Sequence, residues 1–166
     1  LDALRSVQVL CAHRRGLWGA SWWRFEIERW LRAAISGYAI GPWYPGRPLL
    51  VTENDYALGV FNGDTGVVVE DGDGRLRAVF DRRGEPLEVR PTRLAAVDSL
   101  YAITIHKAQG SQWSAVQVFA PDLYAAAHSG RVESGVPLWK RLAYVAITRA
   151  EERLIWVTRY SISRPL

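Results

Sequence analysis

Two stretches of the chain hold polar side chains that ordinary packing does not call for. The first is TIHKAQGSQW, Thr104–Trp113. A hydroxyl, an imidazole, an ammonium group and two amides interrupt an apolar run there, beside a Gly-Ser break. Hydroxyl, ammonium, amide and open backbone N–H groups are the groups that hold phosphate oxygens. The pattern predicts a helix over DSLYAITIHKAQG, capped by Asp98 and stopped at Gly110, with Thr104 and Lys107 on one face. Taken alone, these residues also suit a solvated helix end, where a Lys favours the dipole. The second stretch is KRLAYVAITRAEERLIWV, Lys140–Val157. Leu142, Val145 and Ala146 form an apolar stripe, and Arg149 falls seven residues after Leu142, near the same face. A cation in that position needs a counter-charge. Pattern alone favours an internal pair with Glu151 or Glu152 over an anion supplied from outside.

Other chemistries find no support. GPWYPGRP, residues 41–48, has the outer glycines of a phosphate loop, but Arg47 and Pro48 stand where Lys and Ser/Thr are needed. Its three prolines also exclude the helix such a loop must open. His13, His106 and His128 are scattered, without a second Cys or an H-x-x-x-H pair, so no metal site is expected. Nothing selects a Ser-His-Asp set.

The elements that must position the two stretches follow from composition and punctuation. The 166 residues suffice for one domain with a small insert, at 49% hydrophobic and 23% charged. No apolar run approaches the length of a membrane span, and the N-terminus lacks the pattern of a signal peptide. A single Cys, Cys11 in VQVLCAH, forms no internal disulfide, reads as a small buried hydrophobe and suits a reducing cytoplasm. The net charge of +4 permits nucleic-acid binding without requiring it. The chain holds no Met and does not begin with one, so a fragment of a longer protein is expected.

Three segments are expected: 1–40, 41–97 and 98–166. In the first, VQVLCA reads as a buried strand. SWWRFEIERWLRAAI reads as a helix with Ser21 as N-cap and Gly37 as its stop. In the second, PLLVTE, TGVVVE, LRAVF and LEVRP read as short strands, with Asn62-Gly63 and Asp73-Gly74 as tight-turn signals. Four or five short strands of this kind suggest a small barrel. In the third, AVQVFAP reads as a strand, HSGRVESGV as a polar loop, PLWKRLAYVAITRA as a helix opened by Pro137, and RLIWVT as a final buried strand. Alternation of strand and helix in the outer segments predicts one α/β layer structure, with the middle segment as an insert.

Together the two polar stretches resemble the C-terminal part of superfamily 1 DNA helicases. YAITIHKAQGSQWSAVQVFAP is similar to the family's motif V, and LAYVAITRAEERLIWV to its motif VI, in that order. VQVLCAHRRG resembles motif IV, and VTENDYALGVFNGDTGVVVEDGDGRLRAVF resembles the barrel-bearing insert of the 5′-to-3′ branch. Within that branch, LCAHRRGLWG and the Trp-rich helix after it look most like the RecD-like group, the alpha subunits of exodeoxyribonuclease V. The resemblance implies an α/β fold. The chain would be a second RecA-like domain, a parallel sheet with flanking helices, carrying an inserted SH3-like β-barrel.

The resemblance also implies roles. Arg149 in ITRA matches an arginine that reaches the γ-phosphate of ATP, and Arg14 in AHRRG a second arginine aimed at the nucleotide, with Arg15 as its rival. Gly110 and Gln112 fall in the part of motif V that approaches the nucleotide. The family usually has Glu where Gln112 stands, so the ribose contact lacks charge assistance. Thr104, His106 and Lys107 match the part that contacts single-stranded DNA. Asn54 in ENDY is a further DNA-contact candidate or a structural hairpin residue. ATP would bind with Mg²⁺, the metal and the main phosphate contacts coming from an N-terminal domain absent from this chain. The fragment alone would then be inactive. The implied activity is ATP-dependent 5′-to-3′ DNA unwinding in recombinational repair, in the cytoplasm, on single- and double-stranded DNA, with RecB- and RecC-like subunits as partners and no membrane. Rival readings are a docking or DNA-holding module without catalysis of its own, with some of the eight Trp as stacking platforms, another 5′-to-3′ helicase of the same branch, and a helicase remnant that has lost catalysis.

Overall fold

The computed structural model describes residues 2–38, 41–82, 84–121 and 136–157. The chain divides into two compact units, one of Leu1–Leu4 and Trp23–Tyr101, the other of Arg5–Trp22 and Ala102–Leu166.

The second unit is built on a parallel sheet. Its strands are β1 (Val7–Cys11), β7 (Ala102–Thr104), β8 (Trp113–Phe119) and β9 (Ala150–Val157), in the order β7-β1-β8-β9. All three pairings are parallel. Strands inside a parallel sheet are covered on both faces and read as apolar runs. β1 and β8 follow this rule, with Leu10, Cys11, Val116 and Val118 essentially inaccessible. β9 does not. Expected as buried, it is an outer strand whose Leu154 and Ile155 are 38% and 47% exposed. An outer strand has a neighbour on one side only, so its apolar run marks β-propensity rather than burial. A helix, α2 (Leu138–Ile147), precedes β9 with Pro137 at its N-cap, and buries Leu142 and Ala146.

The helix expected over 98–110 is absent. Val97–Ser99 forms strand β6 and Ala102–Thr104 forms β7, followed by a 3₁₀ turn, Ile105–Ala108. Tyr101, Ile103, Thr104 and Ile105 are aromatic or β-branched, which suits an extended chain. The free edge of β1 supplies a ladder, with Val9, Leu10 and Cys11 paired to Ala102, Ile103 and Thr104. Asp98 is therefore no helix cap; its carboxylate pairs with Arg24 at 3.2 Å.

The first unit contains a five-stranded antiparallel sheet in the order β5-β4-β3-β2-β6. The remaining strands are β2 (Pro48–Val51), β3 (Thr65–Glu70), β4 (Leu76–Arg82) and β5 (Glu85–Val89). Leu49, Val51, Val60, Val68, Ala78, Phe80, Val89 and Leu94 make its core. The four strands expected from the turn signals are present, and β6 is a fifth. Asp73-Gly74 lies in the β3–β4 hairpin, where Glu70 pairs with Leu76. Asn62-Gly63 instead makes the turn that leads into β3, with Asp64 N–H donating to the Phe61 carbonyl at 2.9 Å.

Helix α1 (Ala20–Ala34) begins one residue before its expected cap. Ser21 lies inside it, and the orphan N–H groups of Ala20 and Ser21 donate to the carbonyls of His13 and Arg14 at 2.9 and 3.0 Å. Farther along, Glu28 accepts from the Tyr44 hydroxyl at 2.7 Å, and the Tyr38 and Tyr101 hydroxyls are also 2.7 Å apart. Burial pushes the phenols of Tyr44 and Tyr101 well above the usual tyrosine range, so both stay protonated hydrogen-bonding groups.

Candidate functional site

Thr104–Trp113 runs from one end of the parallel sheet to the other. Thr104 is level with Cys11, and Cys11 with Phe119, the last residue of β8. Trp113 opens β8 and is paired with Ala150, the first residue of β9. Seven strand residues separate these two levels by about 20 Å.

The crossing is pinned at both ends by buried side chains. In the 3₁₀ turn, Ile105 and Ala108 are eclipsed and point inward, 1% and 0% exposed. His106 and Lys107 are thereby left on the outside. Gly110 has φ +85°, a left-handed conformation that L side chains resist, and Ser111 N–H reaches back to the Ala108 carbonyl at 3.2 Å. Gln112 is exposed, whereas Trp113 is 3% exposed and locks the far end.

Arg149 lies at that far end, between α2 and β9. The internal pair expected from pattern does not form: among the described residues no ion pair joins Arg149 to Glu151 or Glu152, which stay exposed on β9. The strand is extended and carries those carboxylates away from the turn. Instead Nη1 donates to the Ser111 carbonyl at 3.1 Å, Nη2 to Thr148 Oγ1 at 3.0 Å and Nε to the Val145 carbonyl at 3.3 Å. The Arg149 carbonyl in turn accepts from Trp113 N–H at 2.9 Å. A guanidinium has five N–H donors, so two remain, one on each Nη. Every one of these acceptors is neutral, so among the described residues the positive charge has no counter-ion.

The remaining sites of interest lie elsewhere. Arg14 and Arg15 follow β1 in an exposed loop. Cys11 marks the Thr104 end of the sheet and Ala150 the other, so Arg14 and Arg149 leave the sheet at opposite ends. The register therefore groups Arg14 with His106 and Lys107, and Arg149 with Ser111 and Gln112. His106 and Gln109 also line an open groove of ≈ 560 Å³ with Lys140, Arg141 and Tyr144 of α2. Asn54, in the first unit, uses its amide inside its own turn. Its Oδ1 accepts from Asn62 N–H at 2.8 Å and its Nδ2 donates to the Tyr56 hydroxyl at 3.4 Å. Thr148 and the Ser111 carbonyl are missed by sequence reasoning. A hydroxyl directly before Arg149 at a helix end is the one sequence signal that points to Thr148.

Among the described residues no group of three or more His, Cys, Asp or Glu is gathered closely enough to hold a metal ion. No described helix is long and apolar enough to cross a membrane.

Comparison with known proteins matches residues 99–157, which hold both polar stretches, to the UvrD-like helicase C-terminal domain. Residues 99–157 are thus similar to a UvrD-like helicase C-terminal domain. Beyond them the likeness to helicase subunits extends over most of the chain. The RecBCD enzyme subunit RecD of Mycobacterium tuberculosis is 42% identical over 154 residues, 93% of this chain and 25% of that protein. The ATP-dependent RecD2 DNA helicase of Deinococcus radiodurans is 32% identical over 151 residues, 89% of this chain and 19% of that protein. The chain thus spans about a quarter or less of the length of these relatives. A solved structure of two coordinating Pif1 helicases at forked double-stranded DNA matches 95% of this chain and 40% of its own, at 15% identity and a TM-score of 0.50. The fold is therefore helicase-like α/β with a parallel sheet.

Proposed function

We propose that this chain is the C-terminal motor portion of an ATP-dependent 5′-to-3′ DNA helicase of the RecD type, acting in recombinational repair in the cytoplasm. It would form the second RecA-like domain, with residues 41–97 as an SH3-like barrel inserted between 1–40 and 98–166. The observation that carries this reading is Arg149: a guanidinium with neutral partners and two open donors, clasped to the loop of Gly110–Gln112. An unneutralised cation at a fixed address suits charge that builds up on a transferring phosphoryl group. ATP would meet Arg149 there, with Gln112 as the amide nearest the ribose. Magnesium and the main phosphate contacts would come from a domain outside this chain.

Thr104, His106 and Lys107 would hold a DNA strand by its phosphates at the opposite end of the sheet. The sheet register supports moving Arg14 to this group, away from the nucleotide role first expected of it. Asn54 has a structural part in its turn, and its exposed amide keeps one N–H donor for a DNA contact. RecB- and RecC-like subunits are the proposed partners, in keeping with relatives named as RecBCD subunits.

The test is a pair of substitutions in the full-length protein. Arg149→Ala is expected to cut ATP turnover by about 10³-fold or more while leaving single-strand affinity intact. Lys107→Ala is expected to weaken single-strand binding first. Undiminished ATP turnover in Arg149→Ala sinks the reading.

A further inference from the structure

Arg149 can serve a phosphoryl group only if its two free N–H groups point the right way, and a long side chain at a helix end does not hold a direction unaided. Thr148 supplies the hold. Its hydroxyl lies 3.0 Å from the Tyr144 carbonyl and 3.0 Å from the Val145 carbonyl, and donates its single proton back into the helix. Its lone pair then faces Arg149 Nη2 at 3.0 Å. On the other side the Ser111 carbonyl takes Nη1, and the Val145 carbonyl takes Nε from below. The three acceptors fix the plane of the guanidinium, and only one of them is a side chain.

We infer that Thr148 is a positioning residue, whose hydroxyl, with the Ser111 carbonyl, orients Arg149 so that its free Nη–H groups face the reacting phosphate. The inference rests on the proposed function and deepens it. Thr148 touches neither nucleotide nor DNA; it acts through Arg149. Because Ser111 belongs to the loop of Gly110–Gln112, displacement of that loop turns the guanidinium as well.

Thr148→Val keeps the shape and removes the acceptor; Thr148→Ser keeps the acceptor. In the full-length protein, Thr148→Val is expected to lower kcat for ATP about tenfold. KM for ATP and the single-strand Kd are expected to stay within about twofold of wild type. It is expected to weaken binding of ADP with aluminium fluoride, which mimics the transferring phosphoryl group, but not of ADP alone. Thr148→Ser is expected to restore both readings. Wild-type kcat in Thr148→Val overturns the inference. So does a uniform loss of turnover, nucleotide binding and thermal stability that Thr148→Ser fails to repair, since that pattern marks a merely structural role. Arg149→Ala separates the two levels. If it turns over ATP normally, the proposed function fails; if it is inactive while Thr148→Val behaves as wild type, only the role of Thr148 fails.

Discussion

Among the described residues the charge of Arg149 has no counter-ion, because its partners are two carbonyls and a hydroxyl. Replacing it with Lys would keep the charge and lose the fork, since an ammonium cannot satisfy three separated acceptors and still present two parallel donors. Arg149→Lys is therefore expected to remain far below wild-type turnover in a steady-state ATPase assay, close to Arg149→Ala. The arginine itself was legible in the sequence, as the cation of ITRA. Its partners were not. Ser111 lies 38 residues away and contributes a main-chain atom, which every residue type offers equally. The nearby carboxylates Glu151 and Glu152 were the natural partners on spacing, and only the extended path of β9 removes them. Asp71 offers a second residue-scale prediction. The Arg75 N–H, at 2.8 Å, is the chief cause holding its carboxyl below the usual Asp value of 3.8, helped by Asp73 N–H and the Arg77 guanidinium. A depressed carboxyl contributes stability that is complete above the unfolded-state value and fades as pH falls through the folded one. Asp71→Asn is expected to flatten the acid limb of a denaturation-midpoint profile in that window, and an unchanged limb would count against this account.

At the scale of elements, strands came through in the sequence better than helices did. Tight turns and β-branched runs marked β2 to β5, because each such strand is specified by its neighbours a few residues away. The segment 98–110 misled because its apolar residues fit a helical period as well as an extended one. What decided it was a partner strand, β1, about ninety residues earlier, and no local pattern carries that information. The antiparallel sheet also shows how closely its neighbouring strands meet. A Cβ on Gly66 would lie 2.6 Å from both the Phe80 ring and the Val79 carbonyl. Gly66→Ala is expected to destabilise the protein by about 1–3 kcal/mol, measured by denaturant unfolding. A neutral substitution would mean that β3 and β4 can part more easily than their core allows.

Across the whole molecule, charge is divided unevenly. Leu1–Leu4 with Trp23–Tyr101 holds ten of the 21 Lys and Arg and thirteen of the 17 Asp and Glu, leaving eleven cations and four carboxylates to the other unit. The net charge of +4 alone conceals this division. Phosphate attraction is therefore expected to originate in the unit with the parallel sheet, and the other unit, with more carboxylates than cations, is poorly suited to a DNA backbone. Lys107→Ala and Arg14→Ala are each expected to reduce the salt slope of single-strand binding by about one, whereas Arg90→Ala in the other unit is expected to leave it unchanged. Equal effects from all three would overturn this assignment.

The stretch between Ile105 and Trp113 can also be regarded as a ruler. Both ends are seated in the core, one end carries His106 and Lys107, and the other is clasped to Arg149 by a carbonyl and an N–H. Under the proposed function, its length in residues would set the timing between gripping a strand and arming a cation. A single glycine inserted after Gly110 is expected to leave Ile105 and Trp113 seated in the core while lengthening the stretch between them and shifting the Ser111 carbonyl that holds Arg149. Such a protein should still bind DNA and still hydrolyse ATP slowly, yet no longer let the one hasten the other.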